Sequence, residues 1–299
     1  MGVGTIKSIE ALFEKAVNSK KSVVAVAACA DQHVLEACAQ AVDKGIASFI
    51  LVGDAAKTKE IAKTVNLDIS RLVVGMVDEP DNLQACKKAV ALVAGGKATA
   101  LMKGLIDTSV IMRAALDREV GIRTERKLSH IAAFELENYH KLLFVTDAAI
   151  NIAPNIEDKV QIIKNAVDAL NNMGFNSPKI ALLAAKEKVD EKMPVTTEWA
   201  EIVKIQLSNC IIDGPLALDN AVSKEACEIK GITSPVGGDA DLLVTPDIEA
   251  GNVLYKSLAF LANARVGGVV LGAKRPIILT SRADSADSKL ISIALSVLF

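Results

Sequence analysis

Ser22-Val-Val-Ala-Val-Ala-Ala-Cys-Ala30 is an uncharged run rich in valine and alanine, and Asp31 breaks it. A stretch this apolar on both alternating faces reads as a strand buried on both sides. The residues after it, Gln32–Lys44, space their apolar side chains as a helix does and stop at Gly45. Ser48–Val52 repeats the strand signal, and Gly53-Asp54 turns into a helix over Ala55–Val65. Leu72–Val77, a helix over Asp81–Ala94 stopped by Gly95-Gly96, a strand over Ala98–Met102 and a helix over Asp107–Leu116 continue the rhythm. Continuous apolar strands spaced by helices predict a parallel sheet covered on both faces, so the first ~120 residues read as α/β.

The rhythm breaks at Asp117–Lys127, where Arg118, Arg123, Arg126 and Lys127 stand among acidic residues. Ile131–Leu136 and Leu142–Thr146 then come with no room for a helix between them. They read as antiparallel neighbours and suggest that a second sheet begins here. A helix over Glu157–Met173, a strand over Ile180–Ala184 and a helix over Thr197–Gln206 come next. Ile211-Ile212, Leu242–Thr245 and Val269-Val270-Leu271 supply further strands, with a helix over Glu249–Asn263 before the last. The final unit is a strand over Ile277–Thr280 and a helix over Ala286–Leu298.

Composition narrows the class. At 299 residues the chain suits ~2 domains or one large one. With 51% hydrophobic and 23% charged residues it has the make-up of a well-cored globular protein. Only 3% of residues are aromatic and the net charge is −2, which leaves little for stacking on or tracking a nucleic acid. No apolar run approaches the ~20 residues that span a bilayer, and the first seventeen residues carry charges with no apolar core, unlike a signal peptide. The five cysteines form no Cys-x-x-Cys pair, and three sit in Ala/Val-rich runs. That usage fits buried thiols in a reducing cytoplasm. Gly95-Gly96-Lys97 resembles the end of a phosphate-binding loop, but Ala98 replaces the metal-binding hydroxyl. His33, His130 and His140 lie at no metal-ligand spacing and read as structural.

In open α/β sheets, ligands bind beyond the carboxyl ends of strands, where helix N-termini present backbone N–H groups. The first junction holds Asp31-Gln32-His33, and the fourth holds Lys103-Gly104 and then Asp107-Thr108-Ser109. Arg113 comes four residues after Ser109 and so shares its helical face. The last junction, Thr280-Ser281-Arg282-Ala283-Asp284-Ser285-Ala286-Asp287, is the densest polar run in the chain. Singly, such residues are caps far more often than ligands, and acids in a first turn favour the helix dipole anyway. Two junctions that pair hydroxyls with an arginine suit a phosphate, because guanidinium binds two oxygens at once.

Pro276-Ile-Ile-Leu-Thr-Ser-Arg-Ala-Asp284, preceded by Asp241–Pro246 and Ala250-Gly-Asn-Val-Leu-Tyr-Lys256, resembles the phosphate acetyl/butyryltransferase family. Met102-Lys-Gly-Leu-Ile-Asp-Thr-Ser-Val-Ile-Met-Arg113 matches that family's first-domain motif, and the similarity runs over essentially the whole chain. Thr-Ser-Arg-Ala-Asp in place of Leu-Ser-Arg-Gly brings the chain closer to the butyryl-transferring members. The resemblance implies two α/β domains with mainly parallel sheets and an inter-domain cleft, like the isocitrate and isopropylmalate dehydrogenases. One domain would join 1–126 to 276–299 and carry the phosphate motifs; 127–275 would form the other.

The implied reaction is butyryl-CoA plus phosphate giving butyryl phosphate plus CoA, reversibly, by direct transfer in a ternary complex. Coenzyme A enters as a thioester substrate, and neither cofactor nor metal is implied. The catalytic residues implied are Ser281, Arg282 and Asp287; Arg113, Thr108, Ser109 and Arg282 would hold phosphate. Asn252 and Lys256 would border the CoA side. In the reverse direction a carboxylate would deprotonate the CoA thiol. Asp287 lies one position off the family spacing, where Ser288 stands, and Asp284 is the reserve. Phe260 stands where acetyl-transferring members carry arginine, which is compatible with a longer acyl group. The family also implies a homo-oligomer, dimeric or larger. Rival readings are a phosphate acetyltransferase, a two-domain β-decarboxylating oxidoreductase, whose carboxylate cluster is missing, and a non-catalytic relative that binds CoA or acyl phosphate.

Overall fold

In the computed structural model, which describes residues 6–280 and 284–299, the valine-alanine run is a strand whose last four residues are all buried. A helix the sequence reading passed over, α1 (Ile9–Val17), precedes it; Ile9, Leu12, Phe13 and Ala16 form its buried stripe. The elements then run β1 (Ser22–Ala27), α2 (Gln32–Asp43), β2 (Ala47–Gly53), α3 (Ala55–Thr64), α4 (Ile69–Leu72), β3 (Val73–Asp78), α5 (Asn82–Ala94), β4 (Ala100–Lys103) and α6 (Thr108–Ala115). Next come β5 (Ser129–Glu135), β6 (Leu143–Thr146), α7 (Ile156–Asn172), β7 (Lys179–Leu183), α8 (Pro194–Lys204), β8 (Ile211–Leu216), α9 (Leu218–Val222) and α10 (Lys224–Lys230). The chain closes with β9 (Leu242–Val244), α11 (Ile248–Lys256), a π-helical turn (Ser257–Leu261), β10 (Arg265–Leu271), β11 (Ile277–Ile278) and α12 (Ala286–Leu298).

Two compact units divide these elements. One comprises Glu10–Arg126 and Gly267–Leu298; the other comprises Lys127–Val266, with residues 6–9 and Phe299. In the first unit the strand order is β3-β2-β1-β4-β11-β10. β1 pairs in parallel with β2 and β4, and β11 pairs in parallel with β4. Only β10 runs against its neighbour β11. This is the parallel α/β architecture expected of the first ~120 residues, with α12 packed against α2. Cys29, Cys38 and Cys86 are buried free thiols.

In the second unit β5 and β6 are antiparallel, with Ala132 opposite Val145, as their close spacing predicted. β6, β9, β7 and β8 then pair in parallel. Phe134, Val145, Ala181 and Leu243 share one core, and Tyr255 of α11 meets the Phe134 ring edge-on at 5.2 Å between centroids. A charge network ties the amino ends of these strands. The buried Lys141 ammonium donates to Asp241 at 2.6 Å and to the Asp239 backbone carbonyl at 2.9 Å, and Lys179 reaches the Asp239 carboxylate at 2.7 Å. Burial opposes ionisation of Asp239, but bonds from Lys179, Lys141 and His140 outweigh it and hold its carboxyl well below the usual range. Among the described residues no helix is long and apolar enough to cross a membrane.

Candidate functional site

The carboxyl edge of the first unit's sheet is built from a repeated device. After β1, β2 and β3, an aspartate caps the next helix: Asp31 accepts from Val34 N–H at 2.9 Å, Asp54 from Lys57 N–H at 2.9 Å and Asp81 from Gln84 N–H at 2.8 Å. Three of the four junction aspartates are therefore spent on helix ends, the common fate of such residues. Asp107, at the start of α6, makes no side-chain cap bond to its helix.

The turn before α6 is clamped to β1. Gly104 N–H donates to Ala27 O at 2.8 Å and Leu105 N–H to Ala28 O at 2.9 Å. Ala28 takes a left-handed backbone, φ 54°, to present that carbonyl. The approach is so close that a Cβ on Gly104 would stand 2.2 Å from Ala28 O, which is why only glycine fits. Beyond the turn, Thr108 and Ser109 open α6 and Arg113 stands in its last turn; all three are exposed. Two hydroxyls and one guanidinium thus share a single short helix, with Ser109 and Arg113 one turn apart.

β11 lies beside β4, with Ile278 level with Met102. Thr280 follows two residues beyond Ile278, and Gly104 two residues beyond Met102. Ser281 and Arg282, the two residues carrying most of the expected chemistry, lie outside the described residues. Asp284 and Asp287 are half-buried at the head of α12, where Ser285 Oγ caps the helix by accepting from Ser288 N–H at 3.1 Å. Lys289 is 3% exposed and donates to the Asp284 backbone carbonyl at 2.5 Å. Burial pushes its ammonium below the usual lysine value, against the pull of the Asp284 and Asp31 carboxylates.

Sequence reading missed Lys289, and it named Lys103 without seeing that it is buried. The Lys289 signal was there: it is the single cation in a helix otherwise made of apolar and small residues after its first turn. In the second unit Asn252 and Lys256 lie on α11, whose N-terminus is capped by Asp247 accepting from Ala250 N–H at 2.8 Å. Asn252 is half-buried and donates to Ala148 O at 3.3 Å, while Lys256 is exposed. Gly251 packs so tightly that a Cβ there would meet Asp147 O at 2.4 Å. Asp147, absent from the sequence reading, is buried and accepts from Ala149 and Ile150 N–H at 2.9 and 3.1 Å and from the Asn151 side chain at 2.6 Å. Those bonds occupy its carboxylate with local backbone, a structural task.

Hydroxyls, a guanidinium and a helix N-terminus at one sheet edge form a flank for an oxyanion. Among the described residues no three His, Cys, Asp or Glu side chains are grouped so as to hold a metal ion. The fold is that of an α/β protein, and the residues expected to hold phosphate, Thr108, Ser109 and Arg113, share one helix at the carboxyl edge of its sheet.

The comparisons narrow the class to a family. The chain matches the family described as "Phosphate acetyl/butaryl transferase" over residues 8–88 and 76–297, and it belongs to that family. It is 46% identical over 288 residues to the phosphate butyryltransferase of Clostridium beijerinckii, covering 95% of this chain and 94% of that one. To the phosphate butyryltransferase of Clostridium acetobutylicum it is 42% identical over 297 residues, 98% of each. The crystal structure of a branched-chain phosphotransacylase from Enterococcus faecalis V583 matches with a TM-score of 0.84 at 35% identity, over 93% of this chain and 98% of that one.

Proposed function

We propose that this chain transfers an acyl group between coenzyme A and inorganic phosphate, converting butyryl-CoA and phosphate to butyryl phosphate and CoA, and the reverse. The observation that carries the reading is 42–46% identity along nearly the whole chain to two phosphate butyryltransferases. The hydroxyl-and-arginine flank of α6 supports it, because phosphate is the substrate such a flank would accept.

In the forward direction a phosphate oxygen attacks the thioester carbonyl carbon, and the carbonyl oxygen takes the electron pair. The tetrahedral species collapses as the C–S bond breaks; the CoA sulfur leaves and takes up the proton that the attacking hydrogen phosphate gives up. Arg113 and Arg282 hold the phosphate dianion and offset its repulsion from the developing oxyanion. Thr108 and Ser109 donate to phosphate oxygens, and Ser281 donates to the oxygen that gains charge. In reverse, Asp287 or Asp284 accepts the CoA thiol proton, since a thiol of ordinary pKa, ~8.5, is mostly protonated at neutral pH. Asn252 and Lys256 serve the CoA side. No residue becomes acylated, and the roles named require neither metal nor cofactor. The protein works in the cytoplasm as a homo-oligomer.

Direct transfer predicts initial-rate lines that intersect when both substrates are varied, and a product that hydroxylamine traps as butyryl hydroxamate. Parallel lines, or an acylated protein in the absence of phosphate, would contradict the ternary complex.

A further inference from the structure

Lys103 is the last residue of β4, and its side chain is 4% exposed. A buried ammonium is costly unless it is bonded, and a methionine would fill the same space without that cost. Its Nζ donates to Ile106 O at 3.2 Å and Gly104 O at 3.4 Å, two carbonyls of the turn it opens. The N–H side of the same turn is held by β1 through Ala27 O and Ala28 O. The turn is therefore gripped on its donors by a strand and on its acceptors by a lysine. It leads directly into α6 with Thr108, Ser109 and Arg113, the helix whose aspartate supplies no cap bond.

We infer that Lys103 is a positioning residue for phosphate, fixing the β4–α6 turn from beneath so that the α6 hydroxyls and Arg113 meet the anion in one geometry. Its positive charge also adds to the field at the α6 N-terminus, in the sense that favours an anion. The inference rests on the phosphate-transfer reading above. A lysine there serves two ends that an apolar residue cannot: it satisfies two carbonyls and keeps a cation behind an anion site.

The test is steady-state kinetics of CoA release from butyryl-CoA for the wild type, K103M and K103Q, with phosphate and butyryl-CoA varied in turn. K103M should raise the phosphate KM by about tenfold or more while the butyryl-CoA KM stays within about twofold, the cost of losing one hydrogen bond to a charged donor. K103Q keeps a donor without the charge, so its phosphate KM should lie between those of the wild type and K103M. It is read in the same way should K103M fail to fold. An unmoved phosphate KM, or a loss confined to kcat or to thermal stability, overturns the inference. A wild type that releases no CoA sinks the underlying reading and the inference together. Wild-type activity with an unmoved phosphate KM in the variants sinks the inference alone.

Discussion

Gly104→Ala is the smallest change that probes how the site is built. The added methyl would stand 2.2 Å from Ala28 O and 2.6 Å from Ala27 O, both backbone atoms that cannot rotate away. Reaching even 3.0 Å from Ala28 O demands a retreat of 3.0 − 2.2 = 0.8 Å. A retreat of that size opens the two bonds to β1, now 2.8 and 2.9 Å, past hydrogen-bonding length. Strain that is borne and bonds that are lost are alternatives more than addends, so the cost is about 2–4 kcal/mol. For a unit of this size that lowers the melting temperature by roughly 5–15 °C. Activity should suffer more than stability, because a displacement near 1 Å at a positioned group costs on the order of a hundredfold in rate. Circular dichroism melts and CoA-release kinetics measure the two effects. A G104A protein that melts with the wild type and keeps its phosphate KM would refute the claim that the β1 clamp sets the site.

Other substitutions test other parts of the account. Arg113→Ala should raise the phosphate KM by about 10- to 100-fold, the worth of charge-assisted hydrogen bonds, and leave the melt almost unchanged because the side chain is exposed. Asp239→Asn should destabilise the protein at neutral pH. The Asp239 carboxyl is depressed in the folded state, so its contribution is full above the unfolded value of about 3.9 and fades as pH falls below it; the two proteins should converge in acid melts. The native protein should react slowly with thiol reagents at Cys29, Cys38 and Cys86, which are fully buried, with burial pushing the Cys86 thiol up to about 11. Rapid titration of all five cysteines without denaturant would contradict that packing.

Most of the element order was legible because continuous apolar runs and helical spacing carry it. The run from Ser22 became β1, and the final helix matches the expected Ala286–Leu298. The misses have physical reasons. α8 begins at Pro194, not Thr197, because proline is favoured in a helix's first turn, where its missing N–H costs nothing. The helix expected through Asn263 leaves α-geometry at Ser257 for a π-helical turn, a change no periodicity reports. α4, α9 and α10 are four, five and seven residues long, too short to show a period.

The residue types of the candidate site were legible in the sequence and their packing was not. Hydroxyls and arginine at a strand-to-helix junction announce themselves by type and spacing, as Thr108, Ser109 and Arg113 do. Lys103 does not, because a lysine at the end of a strand reads in sequence as solvent-facing and only packing reveals its 4% exposure. Gly104 gave no sign of its role either, since the contact that requires it comes from the residues just after β1, far earlier in the chain.

The central claim is acyl transfer to phosphate, with butyryl as the favoured group. Its most direct test is CoA release, monitored with a thiol reagent, from butyryl-CoA and acetyl-CoA with and without phosphate. The account predicts release that depends on phosphate and is faster from butyryl-CoA. Faster release from acetyl-CoA would contradict the acyl preference, and no phosphate-dependent release from either would contradict the transfer itself.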